Sequence, residues 1–292
     1  MGIHVSPKTT PLHPRFASQV NIQISEAVND PALIDEIKAI WRESPLMIFR
    51  RQALTEEELV AFSTRFGECE TVSRRDILSP YNDKVIYFST LRYADGRNVG
   101  GFAGGEDADW HSDQTFRPNP STGALLQAVE VPRDGGDIYW SDQYGAWELL
   151  PDDVKALIDG KTGRYSYAKR LGIMNASELK EKKDELAKMP DVYHPVVLTH
   201  PVTGRKALYA DPTTLVAIEG LSEEESARIL PILFEAGADA SLVYRHRVIP
   251  GDVMMWDNGC TMHRRDSMRL DQPRLMKRTT FRLPSAEYCV PH

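Results

Sequence analysis

Toward the N-terminus, apolar residues recur at helical spacing in two stretches, with an unbroken apolar run between them. In NDPALIDEIKAIWRES, Leu33, Ile37, Ile40 and Trp41 share one helical face, Asp30 is placed to cap the helix and Pro31 suits its first turn. PLMIFRR predicts a buried strand, and LTEEELVAFSTRFGE predicts a second helix. There Thr55 and Glu58 form a capping box ahead of Leu59, Phe62 and Phe66, and Gly67 is placed to stop it. From about residue 120 the texture changes to short β-rich runs punctuated by Pro, Gly and Asp: GALLQAVEVP, GGDIYW, HPVVLTH, KALYA, SLVYRHRVI, DVMMWD and MKRTTFRL. That pattern predicts a sandwich or barrel rather than a parallel βαβ array. Two helices interrupt it. QYGAWELLPDDVKALIDG is one, and LSEEESARILPILFEAG, with Ser222 and Glu225 as a capping box and a kink expected at Pro231, is the other.

The 292 residues suffice for one large domain, and no repeat, low-complexity tract or linker divides them, so a single catalytic domain over 1–292 is expected. The charged stretch NASELKEKKDELAKMPD is expected to form a solvated insert or lid within 170–192. With 41% hydrophobic and 26% charged residues the composition is ordinary for a globular protein. No apolar run approaches the roughly 20 residues of a membrane span, and MGIHVSPKTTPLHPRF lacks a secretory apolar region, which predicts a cytoplasmic protein without a membrane partner. A net charge of −7, with Lys and Arg interspersed, gives nucleic acid no electrostatic footprint. Three cysteines without CxxC spacing argue against a disulfide framework and a thiolate zinc site, and Cys260 reads as a buried thiol. Homo-oligomerisation is left open.

In DADWHSDQTF, His111 and Asp113 are two apart, so on a strand both would point to one face. Such a pair fits an ordinary surface turn as well as a metal site, and a third ligand has to decide. Of the eight histidines, His4, His13 and His292 lie near the termini, His194 precedes a proline in an expected loop, and His246 alternates with Arg245 and Arg247 on a half-exposed strand. His263 differs, because it follows DVMMWDNGCTM, a strand and Asp-Asn-Gly turn that can deliver a side chain to the mouth of a barrel. Two histidines and a carboxylate with open positions suit non-haem Fe(II) oxygen chemistry, with zinc hydrolysis as the lesser alternative. In RLMKRTTFRL, Arg274 and Arg278 are four apart and share a strand face with Met276, Thr280 and Arg282. Two inward guanidinium groups would be costly unless anions met them, and their planar forks match carboxylates; a solvated basic strand is the alternative.

WHSDQTF, GGDIYWSDQYGAWELL, HPVVLTHPVTGRKALY, GDVMMWDNGCTMH and RLMKRTT together resemble the Fe(II)- and 2-oxoglutarate-dependent dioxygenases grouped with taurine dioxygenase and 2,4-dichlorophenoxyacetate dioxygenase, over residues 12–283. The resemblance implies a double-stranded β-helix, a jelly-roll barrel flanked by helices. It implies Fe(II) as cofactor, with 2-oxoglutarate and O2 as cosubstrates, and His111, Asp113 and His263 as both the catalytic centre and the metal ligands. It assigns Arg274 to the distal carboxylate of 2-oxoglutarate and Arg278 to the substrate anion. His200, Phe116 and Tyr209 become pocket candidates, each with a plain structural role as its alternative. Two positions depart from the pattern: Ile138 replaces the threonine of Gly-Gly-Asp-Thr, and Gly259 stands where an arginine is common.

The same resemblance implies hydroxylation of a small anionic molecule with succinate and CO2 as coproducts. PLHPRF and LVYRHR are more similar to the aryloxyacetate dioxygenases, which ranks an aryloxyalkanoate or related aromatic carboxylic acid first and an alkyl sulfonate or sulfate ester second. A non-catalytic iron-binding sensor barrel is the reading from a different class.

Overall fold

The computed structural model describes residues 7–72, 75–101, 108–173 and 189–291. His4, His292 and most of the insert expected at 170–192 lie outside them.

In chain order the strands are β1 (Lys8–His13), β2 (Ala17–Asn21), β3 (Leu46–Phe49), β4 (Glu68–Cys69), β5 (Ile86–Ser89), β6 (Ala108–His111), β7 (Gly123–Glu130), β8 (Ile138–Asp142), β9 (Thr162–Tyr165), β10 (Val192–Pro195), β11 (Val197–Thr199), β12 (Lys206–Leu208), β13 (Leu215–Ile218), β14 (Val243–His246), β15 (Val253–Asp257), β16 (Thr261–Arg265) and β17 (Leu275–Arg282). Eight of them build a large sheet in the order β1-β2-β3-β15-β7-β17-β4, with β5 also on β17, and four build a smaller one in the order β14-β8-β16-β6. Only β2 and β3 run parallel in the large sheet, and every pair in the small sheet is antiparallel. Among the described residues hydrogen bonding leaves these as separate open sheets, so the fold is mixed α/β and rich in strands, without a closed ring.

Alternation along the strands gives the large sheet two apolar faces. One face, with Met47, Phe49, Leu125, Val253, Met255 and Phe281, packs on Trp41, Leu59, Phe62 and Phe66 of the helical layer. The other, with Leu46, Ile48, Ala124, Leu126, Met254, Trp256 and Met276, packs on Ile138 and Trp140 of the small sheet. Met276 and Arg278 therefore face the space between the sheets, as the alternation predicts. Arg282 does not follow them: at the end of β17 its side chain is exposed and pairs with Glu68 at 3.7 Å.

The two N-terminal helices form as expected. Asp30 accepts from the amides of Ala32 and Leu33 ahead of Pro31–Glu43, and Thr55 and Glu58 close both bonds of the capping box on Glu56–Thr64. The helix Glu223–Gly237 carries its own box, Ser222 with Glu225, and runs on through Pro231. The single helix expected in QYGAWELLPDDVKALIDG is instead two, Gln143–Leu149 and Asp152–Ile158. Pro151 disfavours helical geometry at Leu150, which adopts ψ 142°. Two of the remaining histidines are more deeply placed than their sequence context predicts. His246 is buried between Tyr244 and Asp252, and His194 lies in β10, buried, against the carbonyl of Arg117.

Candidate metal and cosubstrate site

The hairpin β15–β16 brings His263 into place. Its turn is held by Asp257, whose carboxylate accepts from the Gly259 amide at 2.8 Å and whose carbonyl accepts from the Thr261 hydroxyl at 2.7 Å. Register then sets His263 directly opposite His111 on β6 and opposite Trp140 on β8. The two imidazole rings lie 4.2 Å apart. Asp113 reaches the same place by another route than the one expected: β6 ends at His111, and Asp113 sits in the turn that follows. That turn contains Gln114 at φ 58°, a left-handed conformation uncommon for a side-chain-bearing residue. Gln114 is pinned from both sides, donating to Glu70 at 2.5 Å and accepting from the Ser121 amide at 2.9 Å.

The ligand atoms of His111, Asp113 and His263 all lie within 4.8 Å of one another. His111 has its Nδ1 at 2.7 Å from the carbonyl of Asp109, a bond that fixes the tautomer with Nε2 free to bind a cation. Burial opposes ionisation of Asp113, but the Arg278 guanidinium and the neighbouring imidazoles outweigh it and hold the carboxyl well below its usual range. Burial, reinforced by His111, pushes His263 well below the usual imidazole value, and burial with the Arg170 charge lowers His111. One carboxylate and two neutral imidazoles are the protonation states that a divalent metal requires. Their N2O donor set suits Fe(II) with exchangeable positions.

The surroundings fit a charged small molecule. Arg278 donates to Asp113 and lies with its guanidinium carbon 5.2 Å from the Trp256 ring centre. Arg274 is fixed just ahead of β17 by two bonds with Thr90: its carbonyl accepts from the Thr90 amide and its amide donates to the Thr90 hydroxyl. Arg274 as a whole is 5% exposed, and among the described residues no carboxylate or side-chain acceptor meets its guanidinium. Burial, with the nearby Arg265 cation, pushes it down to about 9. Four further buried polar atoms here lack a partner among the described residues: His263 Nδ1, Arg278 Nε, Asn258 Nδ2 and the Tyr209 hydroxyl.

Of the pocket candidates, Tyr209 is buried within reach of the Asp113 charge, and Phe116 stacks on Tyr167 at 4.3 Å three residues beyond Asp113. His200, the remaining candidate, has local partners. Its Nδ1 accepts from the amides of Val202 and Thr203, closing the turn between β11 and β12, and its ring faces Tyr288 at 6.4 Å. The charges acting on it belong to Arg42, Glu43 and Arg205 and not to the triad. Gly259 also has a local explanation. A Cβ there would lie 1.9 Å from the Cys289 carbonyl, so the C-terminal segment occupies the space a side chain would need. Ile138 is buried in the core between the sheets and offers no donor.

Two residues that sequence patterns did not single out support the triad. Asn258 accepts from the Asp113 amide at 3.2 Å and from the Trp256 indole at 3.0 Å. Asp211 accepts from the Thr115 hydroxyl at 2.8 Å and the Ser112 amide at 3.4 Å. Asn258 adjoins the Asp-Gly turn and could have been suspected from it, whereas nothing local marks Asp211.

Sheet topology and triad together define a candidate N2O metal site of the kind oxygenases use. Residues 8–280 match the model of the taurine catabolism dioxygenase TauD, TfdA family, and the chain belongs to that family of 2-oxoglutarate-dependent non-haem iron dioxygenases. It is 32% identical over 290 residues to the alpha-ketoglutarate-dependent 2,4-dichlorophenoxyacetate dioxygenase of Cupriavidus pinatubonensis, covering 94% of this chain and 98% of the relative. It is 30% identical to the (S)-phenoxypropionate/alpha-ketoglutarate-dioxygenase of Sphingobium herbicidovorans, covering 91% of each. The crystal structure of AAD-2 in complex with Mn(II) and N-oxalylglycine superposes with a TM-score of 0.77 at 27% identity, covering 96% of this chain and 98% of that one.

Proposed function

We propose that this dioxygenase hydroxylates an aryloxyalkanoate or a related aromatic carboxylic acid, releasing succinate and CO2. In this reading the whole chain is one catalytic unit, supported by the single sheet in which β3, near one end, pairs with β15, near the other. The two facing sheets are the halves of a double-stranded β-helix. His111, Asp113 and His263 hold Fe(II), Arg274 takes the distal carboxylate of 2-oxoglutarate, and Arg278 faces the substrate anion beside Phe116 and Tyr209. When bound, Fe(II) with 2-oxoglutarate and O2 supplies the oxidative decarboxylation that puts one oxygen atom into a substrate C–H bond. The chain's own part is to fix the ligands through Asp109 and Asn258, to present a guanidinium to the cosubstrate and to exclude water.

The observation that carries this reading is the clustering of His111, Asp113 and His263 with Arg278 on Asp113, and Arg274 lies four positions ahead of Arg278, buried and with no internal anion among the described residues. A hydrogen bond to a charged group contributes roughly 1.5–3 kcal/mol. Ile138 withholds one such bond, so the cosubstrate depends the more on Arg274. The test is succinate formation by Fe(II)-reconstituted protein, screened against aryloxy acids, other aromatic acids and alkyl sulfonates or sulfate esters. Stimulation by aromatic acids, abolished in His111→Ala, is the expected result. Stimulation by sulfonates or sulfate esters alone would move the substrate to the second class, which the family's taurine members keep in view. Iron binding with no succinate from any panel would support a non-catalytic iron sensor instead.

A further inference from the structure

Arg170 lies on the helix Tyr167–Ile173, outside the ligand and arginine motifs, and side-chain hydrogen bonds connect it to the segment that carries His111 and Asp113. Its Nη1 donates to the Thr213 hydroxyl at 2.9 Å, and that hydroxyl donates to Asp211 at 2.6 Å. Asp211 in turn receives the Ser112 amide, between His111 and Asp113, and the Thr115 hydroxyl. A guanidinium has five donor hydrogens, and Thr213 takes only one of them. Asp211 does not meet Arg170 directly, because both its oxygens are already engaged by Ser112, Thr115 and Thr213. Among the described residues no carboxylate pairs with Arg170, although it is half-buried.

One helical turn before Arg170, on the same face, Tyr167 stacks on Phe116. An apolar aromatic wall and an open guanidinium fork thus stand side by side at the triad, the complement of an aromatic ring bearing a carboxylate. The Arg170 charge is felt at both His111 and His263, in keeping with that placement. Arg278, by contrast, is already committed to Asp113 through one nitrogen and covers Trp256.

We propose that Arg170 is a specificity-determining residue of this dioxygenase, its guanidinium fork holding the carboxylate of the aromatic substrate whose ring lies along Phe116 and Tyr167. This rests on the substrate class assigned above and moves the main hold on the anion from Arg278 to Arg170.

The test compares phenoxyacetate with its uncharged counterpart phenoxyethanol, titrated anaerobically into the full chain loaded with Fe(II) and 2-oxoglutarate, by the visible band of the chelate. Wild type is expected to prefer the acid, and Arg170→Met to lose at least tenfold in affinity for the acid with little change for the alcohol. Arg170→Lys should fall between, because an ammonium keeps the charge and loses the fork. An unchanged chelate band in each variant shows the metal centre intact. Equal acid affinity in wild type and Arg170→Met, or equal loss for acid and alcohol, overturns the assignment of Arg170 and leaves the function standing. A wild-type protein that forms the chelate but binds no acid overturns both Arg170 and the substrate class. Failure to form the chelate at all contradicts the proposed function itself.

Discussion

The two faces of β17 hold buried charges under opposite conditions. On the helical side Lys277 meets Glu56 at 3.0 Å, and Glu56 also accepts from Ser79 at 2.6 Å and from Tyr87, so none of these groups has a buried polar atom without a partner. On the side facing the small sheet, Arg278 meets Asp113 but keeps Nε unpartnered, and just ahead of the strand Arg274 has no side-chain partner among the described residues. Burial of charge is common to both faces and does not tell function from structure. Satisfaction does: a closed network contributes to holding helix Glu56–Thr64 on the sheet, while an unsatisfied one retains its capacity for a ligand.

The largest effect that would sharpen this contrast is on the closed side. Glu56→Ala leaves Lys277 and the Tyr87 hydroxyl buried without their acceptor and should destabilise the protein by about 3–5 kcal/mol in urea unfolding. Its 2-oxoglutarate affinity should stay within experimental spread; a joint loss of stability and affinity would show the two faces to be one coupled network. On the open side, Arg274→Met should weaken 2-oxoglutarate by roughly tenfold to a hundredfold, the worth of one charge-assisted hydrogen bond. The ligand-free protein should be as stable as wild type or more so, because an uncompensated buried cation has been removed. A large drop in ligand-free stability would mean that Arg274 has a structural partner after all.

A third effect is one of slope. Asp257 is buried with only backbone and thiol donors near it, and burial pushes its carboxyl up to about 7 from an ordinary 3.8, whereas Glu56, with a lysine at hand, is held below its usual value against the pull of burial. A carboxyl raised on folding contributes stability that is complete below the unfolded value and is lost as pH rises through the folded one. Stability should therefore decline from about pH 4 to about pH 7 on its account, and Asp257→Asn should flatten that decline in unfolding curves measured across the window. An unaltered slope would place the ionisation elsewhere.

Sequence by itself determined what rests on neighbours along the chain. The capping boxes at Thr55 and Ser222, the Asp30 cap, and the alternation that turns Met276 and Arg278 inward all formed as read, because each depends on contacts within a few residues. Local reading also misjudged in instructive ways. It put Asp113 on a strand that ends two residues earlier, and it gave His194 a loop position where β10 buries it. Only the tertiary structure decided the rest. His111 and His263 become partners through antiparallel register, Gly259 is required by a carbonyl thirty positions away at Cys289, and Asp211 and Arg170 join the triad across loops with no shared motif. Helix caps and strand faces are set by short-range stereochemistry, but which charge lacks a partner is a property of the packed whole.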